Sequence, residues 1–113
     1  MNALVNKVQL IGRLGANPKV NVFGENRKVS RFPIATNEGY KNRKGEWVEQ
    51  TQWHQVVAWG ATANLVEKLL QKGQEVLVEG KLTTNSWEDK EGNKRFTTEI
   101  TLSDFFLTQR KAS

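Results

Sequence analysis

The sequence predicts an all-β chain, a five-stranded barrel with one short helix between the third and fourth strands. Three observations predict it. Apolar and polar residues alternate over most of the chain, the period of a half-buried strand. A single segment, near residues 62–73, carries helical spacing instead. Short breaks built on Gly, Asn and Pro separate the segments, and long strands with short connections favour a closed barrel over a sandwich.

The first strand is Lys7 to Leu14, with Val8, Leu10 and Leu14 on one face. Gly15-Ala16-Asn17-Pro18 ends it. Val20, Val22 and Phe23 form a short extended piece, and Gly24-Glu25-Asn26 turns the chain. Val29 to Thr36 is the second strand. Pro33 lies inside it and needs an edge or bulge, where its missing N–H costs nothing. Asn37 to Trp47, with Gly39, Gly45 and a basic cluster, reads as a long hairpin loop or extended β-ribbon. Gln50 to Trp59, rich in Thr, Trp and Val, is the third strand.

The helix follows. Leu65, Val66, Leu69 and Leu70 form its apolar stripe, Thr62 is the expected N-cap, Lys72 suits the C-terminal dipole and Gly73 the C′ position. Glu75 to Trp87 is the fourth strand, with Val76, Val78 and Leu82 on one face. Glu88 to Arg95 is a charged hairpin turning near Gly92-Asn93, and Phe96 to Gln109 is the fifth strand. Strands in the order β-β-β-α-β-β, with an extended β-hairpin between the second and third, are those of the OB-fold, a five-stranded Greek-key barrel. Residues 1–109 are expected to form this domain and 110–113 a short C-terminal remnant.

Composition removes several functions. The 113 residues suffice for one domain with a core that needs no staple. The absence of cysteine excludes disulfides, zinc ribbons, iron–sulfur clusters and thiol nucleophiles, and the single histidine, His54, excludes a multi-histidine metal site. No G-x-S-x-G, Walker loop or G-x-G-x-x-G is present. The chain is therefore not expected to be an enzyme, and neither cofactor nor metal is expected. No apolar run approaches the roughly 20 residues of a membrane-spanning helix, and the N-terminus has neither signal-peptide nor transit pattern. A cytoplasmic, nucleoid-associated protein without membrane contact is the expectation.

Charge and aromatic content point to nucleic acid. The net charge is +5, and residues 1–60 hold all of the excess: nine Lys/Arg against four Asp/Glu. Lys41-Asn42-Arg43-Lys44 is its densest run, flanked by Tyr40 and Trp47. Trp53 and Trp59 are six residues apart in one strand, so they share a face. Val57 shares that face, whereas His54, Val56 and Ala58 occupy the other; periodicity leaves either one as core. Tyr40 and Trp47 flank charged positions and are expected to be exposed. Aromatic faces stack bases with little sequence preference, and Lys/Arg side chains track phosphates. Lys7, Arg13, Arg31, Lys41, Arg43, Lys44 and Lys72 are the expected phosphate contacts.

These segments also resemble a known family. Asn6-Lys7-Val8, Gly12 to Pro18, Ala35-Thr36, Gln50 to Val57, Lys72-Gly73, and Gly80-Lys81-Leu82 leading to Trp87 are similar to the bacterial single-stranded DNA-binding proteins, from about Asn6 to Ile100. The Thr-x-Trp-His segment followed by a second aromatic is the most specific part. The resemblance implies sequence-tolerant binding and protection of single-stranded DNA in replication, recombination and repair. It implies stacking by Tyr40, Trp53, Trp59 and Trp87, a homotetramer, and a subunit-interface place for His54. Many members have Trp at the position of Tyr40 and Phe at that of Trp59; both swaps keep a ring. Ser86 replaces a residue that is often basic, and Trp47 is not a usual stacking position. Members typically end in a Gly/Gln/Pro-rich tail with an acidic tip that recruits repair and replication proteins. This chain ends at Gln109-Arg110-Lys111-Ala112-Ser113, so recruitment through such a tail is not expected.

Overall fold

Strands that alternate in character and are joined by tight turns must find partners for both edges, and here most do so by closing on themselves. The computed structural model describes residues 3–25 and 27–108, with side chains from Val5 onward. The remnant expected at 110–113 and the end of the fifth strand at Gln109 lie outside the described residues. A 3₁₀ turn (Ala3–Asn6) leads into β1 (Val8–Leu14). Then come β2 (Lys19–Phe23), β3 (Arg27–Asn37), β4 (Tyr40–Lys41), β5 (Trp47–Val48), β6 (Thr51–Trp59), α1 (Gly60–Leu69), β7 (Glu75–Glu88) and β8 (Lys94–Leu107).

Five of these strands form the ring β1-β7-β8-β6-β3, closed by pairing of β1 with β3. All ring contacts are antiparallel except β6 with β8, which is parallel and short: Val56 opposite Ile100 and Val57 opposite Thr101. This is the OB-fold barrel that the element order predicts. The extended piece at Val20–Phe23 becomes β2, a strand added to the edge of β3 outside the ring. Pro33 sits where that edge of β3 passes from β2, whose last pair is Lys19–Arg31, to β1, whose pair is Leu14–Ile34. Its carbonyl accepts from Gly15 N at 3.1 Å, so the missing N–H faces the same gap and breaks no ladder bond.

The core is built from alternate residues: Leu14 on β1, Phe32 and Ile34 on β3, Val56 and Ala58 on β6, Val76 and Val78 on β7, Ile100 and Leu102 on β8. Each such Val, Leu, Ile or Phe side chain, fully buried, contributes about 1.5–3 kcal/mol. α1 supplies Ala63, Val66 and Leu70 to the same core.

The helix departs from expectation at both ends and in its face. Thr62 is not the N-cap. Trp59 holds that position in extended conformation with no side-chain cap, and the chain passes from strand to helix without a loop. Gly60 makes this direct entry with φ +60°, a conformation that disfavours any side chain. The buried stripe is Ala63, Val66 and Leu70, whereas Leu65 and Leu69 face outward. Leu70 is the C-cap, so Gly73 lies beyond C′; its φ of +89° serves the turn into β7, and its N–H bonds to Leu14 O. Leu82, expected with Val76 and Val78, shares their face but is half exposed, because it lies past the barrel rim. Among the described residues no helix is long and apolar enough to cross a membrane.

Two ribbons project from the barrel. One continues β3 and β6 outward as the two-stranded sheet β4–β5, with Tyr40 opposite Val48 and Lys41 opposite Trp47. The other is the outer part of β7–β8, paired out to Glu88–Lys94. They account for a radius of gyration of 16.4 Å, above the roughly 13 Å of a compact chain near this length.

Candidate nucleic-acid interface

Strand register assigns the tryptophans. Trp53 and Trp59 leave β6 on the face opposite Val56 and Ala58, which are fully buried in the core. Periodicity left the two faces open; burial assigns the core to the His54 side and the outside to the tryptophans. On β7 the outer residues are Lys81, Thr83, Asn85 and Trp87, by the row that joins Arg31, Val57, Thr101 and Lys81 across β3, β6, β8 and β7. Trp53, Trp59 and Trp87 therefore share one continuous outer surface. They are 60%, 49% and 50% exposed, well above what a core aromatic shows. Val29 and Val57 lie on this same face yet are covered, which gives an apolar floor between exposed rings.

Two rings are held by their surroundings. The Trp53 indole lies on the backbone of Gly15: a Cβ there would come within 2.8 Å of its Cη2. Trp87 Nε1 donates to Thr97 Oγ1 at 2.9 Å. Both contacts set ring orientation and leave a face free.

Tyr40 and Trp47 part company. Cross-strand pairing puts Tyr40 with Val48 on one side of the β4–β5 ribbon and Trp47 with Lys41 on the other. Trp47 covers Gly39, where a Cβ would meet Cε2 at 2.6 Å, and its Nε1 donates to Glu49 Oε1 at 2.9 Å. Trp47 is thus a brace of the hairpin. Tyr40, half exposed, has its ring on the opposite side.

The seven expected phosphate contacts fall into three groups. Lys41, Arg43 and Lys44 stand on the ribbon with no carboxylate partner among the described residues; the tip is closed by Asn42 Oδ1, which accepts from Lys44 N and Glu46 N. Arg13 shares a row with Ala35 and Trp53, and its Nη1 donates to Gly73 O at 3.1 Å. That bond brings it beside Lys72, whose own N–H donates to Asn17 Oδ1. Lys7 and Arg31 are ion-paired, with Glu79 at 3.4 Å and Glu99 at 3.2 Å. Lys81 was missed. It lies on the outer row with Arg31 and Val57 and has no carboxylate partner among the described residues. Even spacing from Trp87 along one strand was the signal that could have found it.

His54 points the other way. Thr36 Oγ1 donates to Glu38 Oε2 at 2.7 Å, so its only proton is used, and His54 Nε2, 3.1 Å from that oxygen, is the donor. With Val8, Leu10, Leu82 and Ile100 on one side and Trp53 and Glu99 on the other, it lines an open, mostly apolar cavity of about 400 Å³ at the barrel rim.

Comparison with known proteins agrees with this geometry. Residues 5–107 match the model of the single-strand binding protein family. The chain is 42% identical over 110 residues to single-stranded DNA-binding protein 1 of Chlorobaculum tepidum, covering 96% of this chain and 68% of that protein. It is 40% identical to single-stranded DNA-binding protein 1 of Xylella fastidiosa, covering 96% and 81%. Among solved structures, the Plasmodium falciparum SSB complex with ssDNA superposes with a TM-score of 0.84 at 34% identity, over 92% of this chain and 95% of that one. An OB barrel with three exposed tryptophans on one outer face, matched over nearly its whole length, belongs to the single-strand binding protein family.

Proposed function

We propose that this chain binds and protects single-stranded DNA without sequence preference, in replication, recombination and repair, and catalyses nothing. The carrying observation is the shared outer face of Trp53, Trp59 and Trp87, each about half exposed on strands whose opposite face fills the barrel core. Bases stack on these rings and on Tyr40, at about 1–3 kcal/mol per base. Arg13, Lys41, Arg43, Lys44, Lys72 and Lys81 neutralise phosphates. Lys7, tied to Glu79, is the weaker member. The relatives named for single-stranded DNA, and the related complex solved with it, support this reading.

The working form is a homotetramer with His54 at a subunit interface. Two features support this. Ile11, Leu77 and Phe106 form one row across β1, β7 and β8, and Ile11 and Phe106 are more than half exposed. The apolar cavity beside His54 is open to solvent in the single chain. Apolar surface of this kind is stabilised by covering it.

Titration of tryptophan fluorescence with oligo-dT at several salt concentrations tests the binding. Quenching with an affinity that falls as salt rises is expected. Saturation without quenching, or indifference to salt, overturns the reading. Sedimentation equilibrium tests the assembly, and a monomer at micromolar concentration refutes it.

A further inference from the structure

We infer that Arg31 meets a base and not a phosphate, because Glu99 cancels its charge within the nucleic-acid face. The inference rests on the single-stranded DNA reading above and specifies one residue's part in it. Arg31 leaves β3 on the tryptophan side, opposite Val57 and two positions from Val29, which faces Trp59. It stands on the stretch between Trp59 and Trp53, six residues or about 20 Å apart along β6.

Its charge is committed. Arg31 Nε donates to Glu99 Oε2 at 3.2 Å, and Asn85 Nδ2 donates to Glu99 Oε1 at 3.3 Å. The Glu99 side chain is 11% exposed, whereas that of Arg31 is 42% exposed. The carboxylate is thus anchored from two sides, by residues far apart in sequence. The guanidinium is held by one edge, with much of its surface open. A phosphate drawn to Arg31 would also approach a fixed negative charge, which offsets the attraction. A base has no net charge and loses nothing there. A guanidinium plane stacks on bases much as an aromatic ring does. Arg13 and Lys81, on the same outer surface, have no such carboxylate among the described residues and remain free to serve phosphates.

Two variants test this through the dependence of oligo-dT affinity on salt. Glu99→Gln keeps a hydrogen-bonding side chain and removes the negative charge. The face then gains one uncompensated positive charge, and the slope of log K against log salt steepens by about 0.7. The double variant Arg31→Gln/Glu99→Gln replaces a neutral pair by a neutral pair and strands no charge. Its slope is expected to match wild type, while its oligo-dT affinity falls by at least about two-fold. Affinity for an abasic strand of the same length is expected to stay unchanged. A double variant whose slope becomes shallower by about 0.7 overturns the inference, since Arg31 then serves a phosphate. So does a Glu99→Gln slope equal to wild type, an unchanged oligo-dT affinity in the double variant, or an equal loss on the abasic strand. A wild-type chain that does not bind oligo-dT overturns the single-stranded DNA reading and this inference together; the other outcomes strike the inference alone.

Discussion

The indole of Trp53 rests on the backbone of Gly15, close enough that a methyl group at position 15 would lie 2.8 Å from Cη2. A β1-end glycine therefore sets the angle of a ring on β6. Gly15→Ala pushes the ring off this seat, with a local cost of about 1–3 kcal/mol. We expect weaker oligo-dT binding and a smaller fluorescence quench with the barrel still folded. Titration beside a circular-dichroism melt checks this; unchanged binding contradicts it.

Exposed rings and bracing rings differ in what their loss does. Trp53→Ala and Trp87→Ala should each weaken oligo-dT binding by about 1–3 kcal/mol and leave thermal stability nearly unchanged. Trp47→Ala instead uncovers Gly39, and its expected effect is faster amide exchange in residues 39–48. Exchange mass spectrometry separates the two behaviours. A Trp47 variant with normal exchange but lost affinity would count against its role as a brace.

Ribbon cations and helix-side cations should part in their salt response. Arg43→Ala or Lys44→Ala is expected to reduce the salt slope by about 0.7 each. Lys28 is ion-paired with Glu67 of α1 and leaves β3 on the face opposite Val29 and Trp59, so Lys28→Ala should leave the slope unaltered. Equal slopes for all three variants are the contrary result.

Asp89 closes the β7–β8 ribbon. Its carboxyl is held below the ordinary value of 3.8 chiefly by the backbone N–H of Asn93, then by the Arg95 side chain. A depressed folded-state pKa gives stability that is fully present above the unfolded value and is lost as pH falls through the folded one. The ribbon tip should therefore stay closed at neutral pH and loosen only below about pH 4. Amide NMR shifts of Glu91 and Asn93 against pH report this. Asp89→Asn should abolish the acid transition.

Ser30 is fully buried on the core side, and its hydroxyl has no hydrogen-bond partner among the described residues. Ser30→Ala removes an unsatisfied polar group at little change in volume. It should stabilise the barrel, by about 1 kcal/mol or somewhat more. A lower denaturation midpoint would show that the hydroxyl is satisfied in solution.

Most of the ring was legible because its strands bury one side. β1 and the inner half of β7 alternate cleanly, and their faces were read correctly up to the rim at Leu82. β6 defeats that reading, since Val56, Val57 and Ala58 are all buried and the period vanishes where it is needed. The helix misled for another reason. Its large leucines, Leu65 and Leu69, suggest the buried stripe, but small Ala63 fits the barrel end. The rings proposed to stack were named through family resemblance; the face shared by Trp53, Trp59 and Trp87 needed register. Trp47 over Gly39 and Arg31 with Glu99 depend on pairings that no local pattern encodes.

The parallel seam between β6 and β8 bears on how the chain reaches its fold. The β2–β3, β3–β6 and β7–β8 hairpins join neighbours in sequence, but the seam brings Val57 to Thr101, and β1 reaches Val8 to Gly80. Such distant pairings cost loop entropy before they return any contact. The hairpins should therefore assemble first and ring closure should govern the folding rate, on a scale of about milliseconds to seconds. Until then the nascent chain shows open strand edges and bare tryptophans at once, so its exposure to aggregation is greatest just before the barrel shuts.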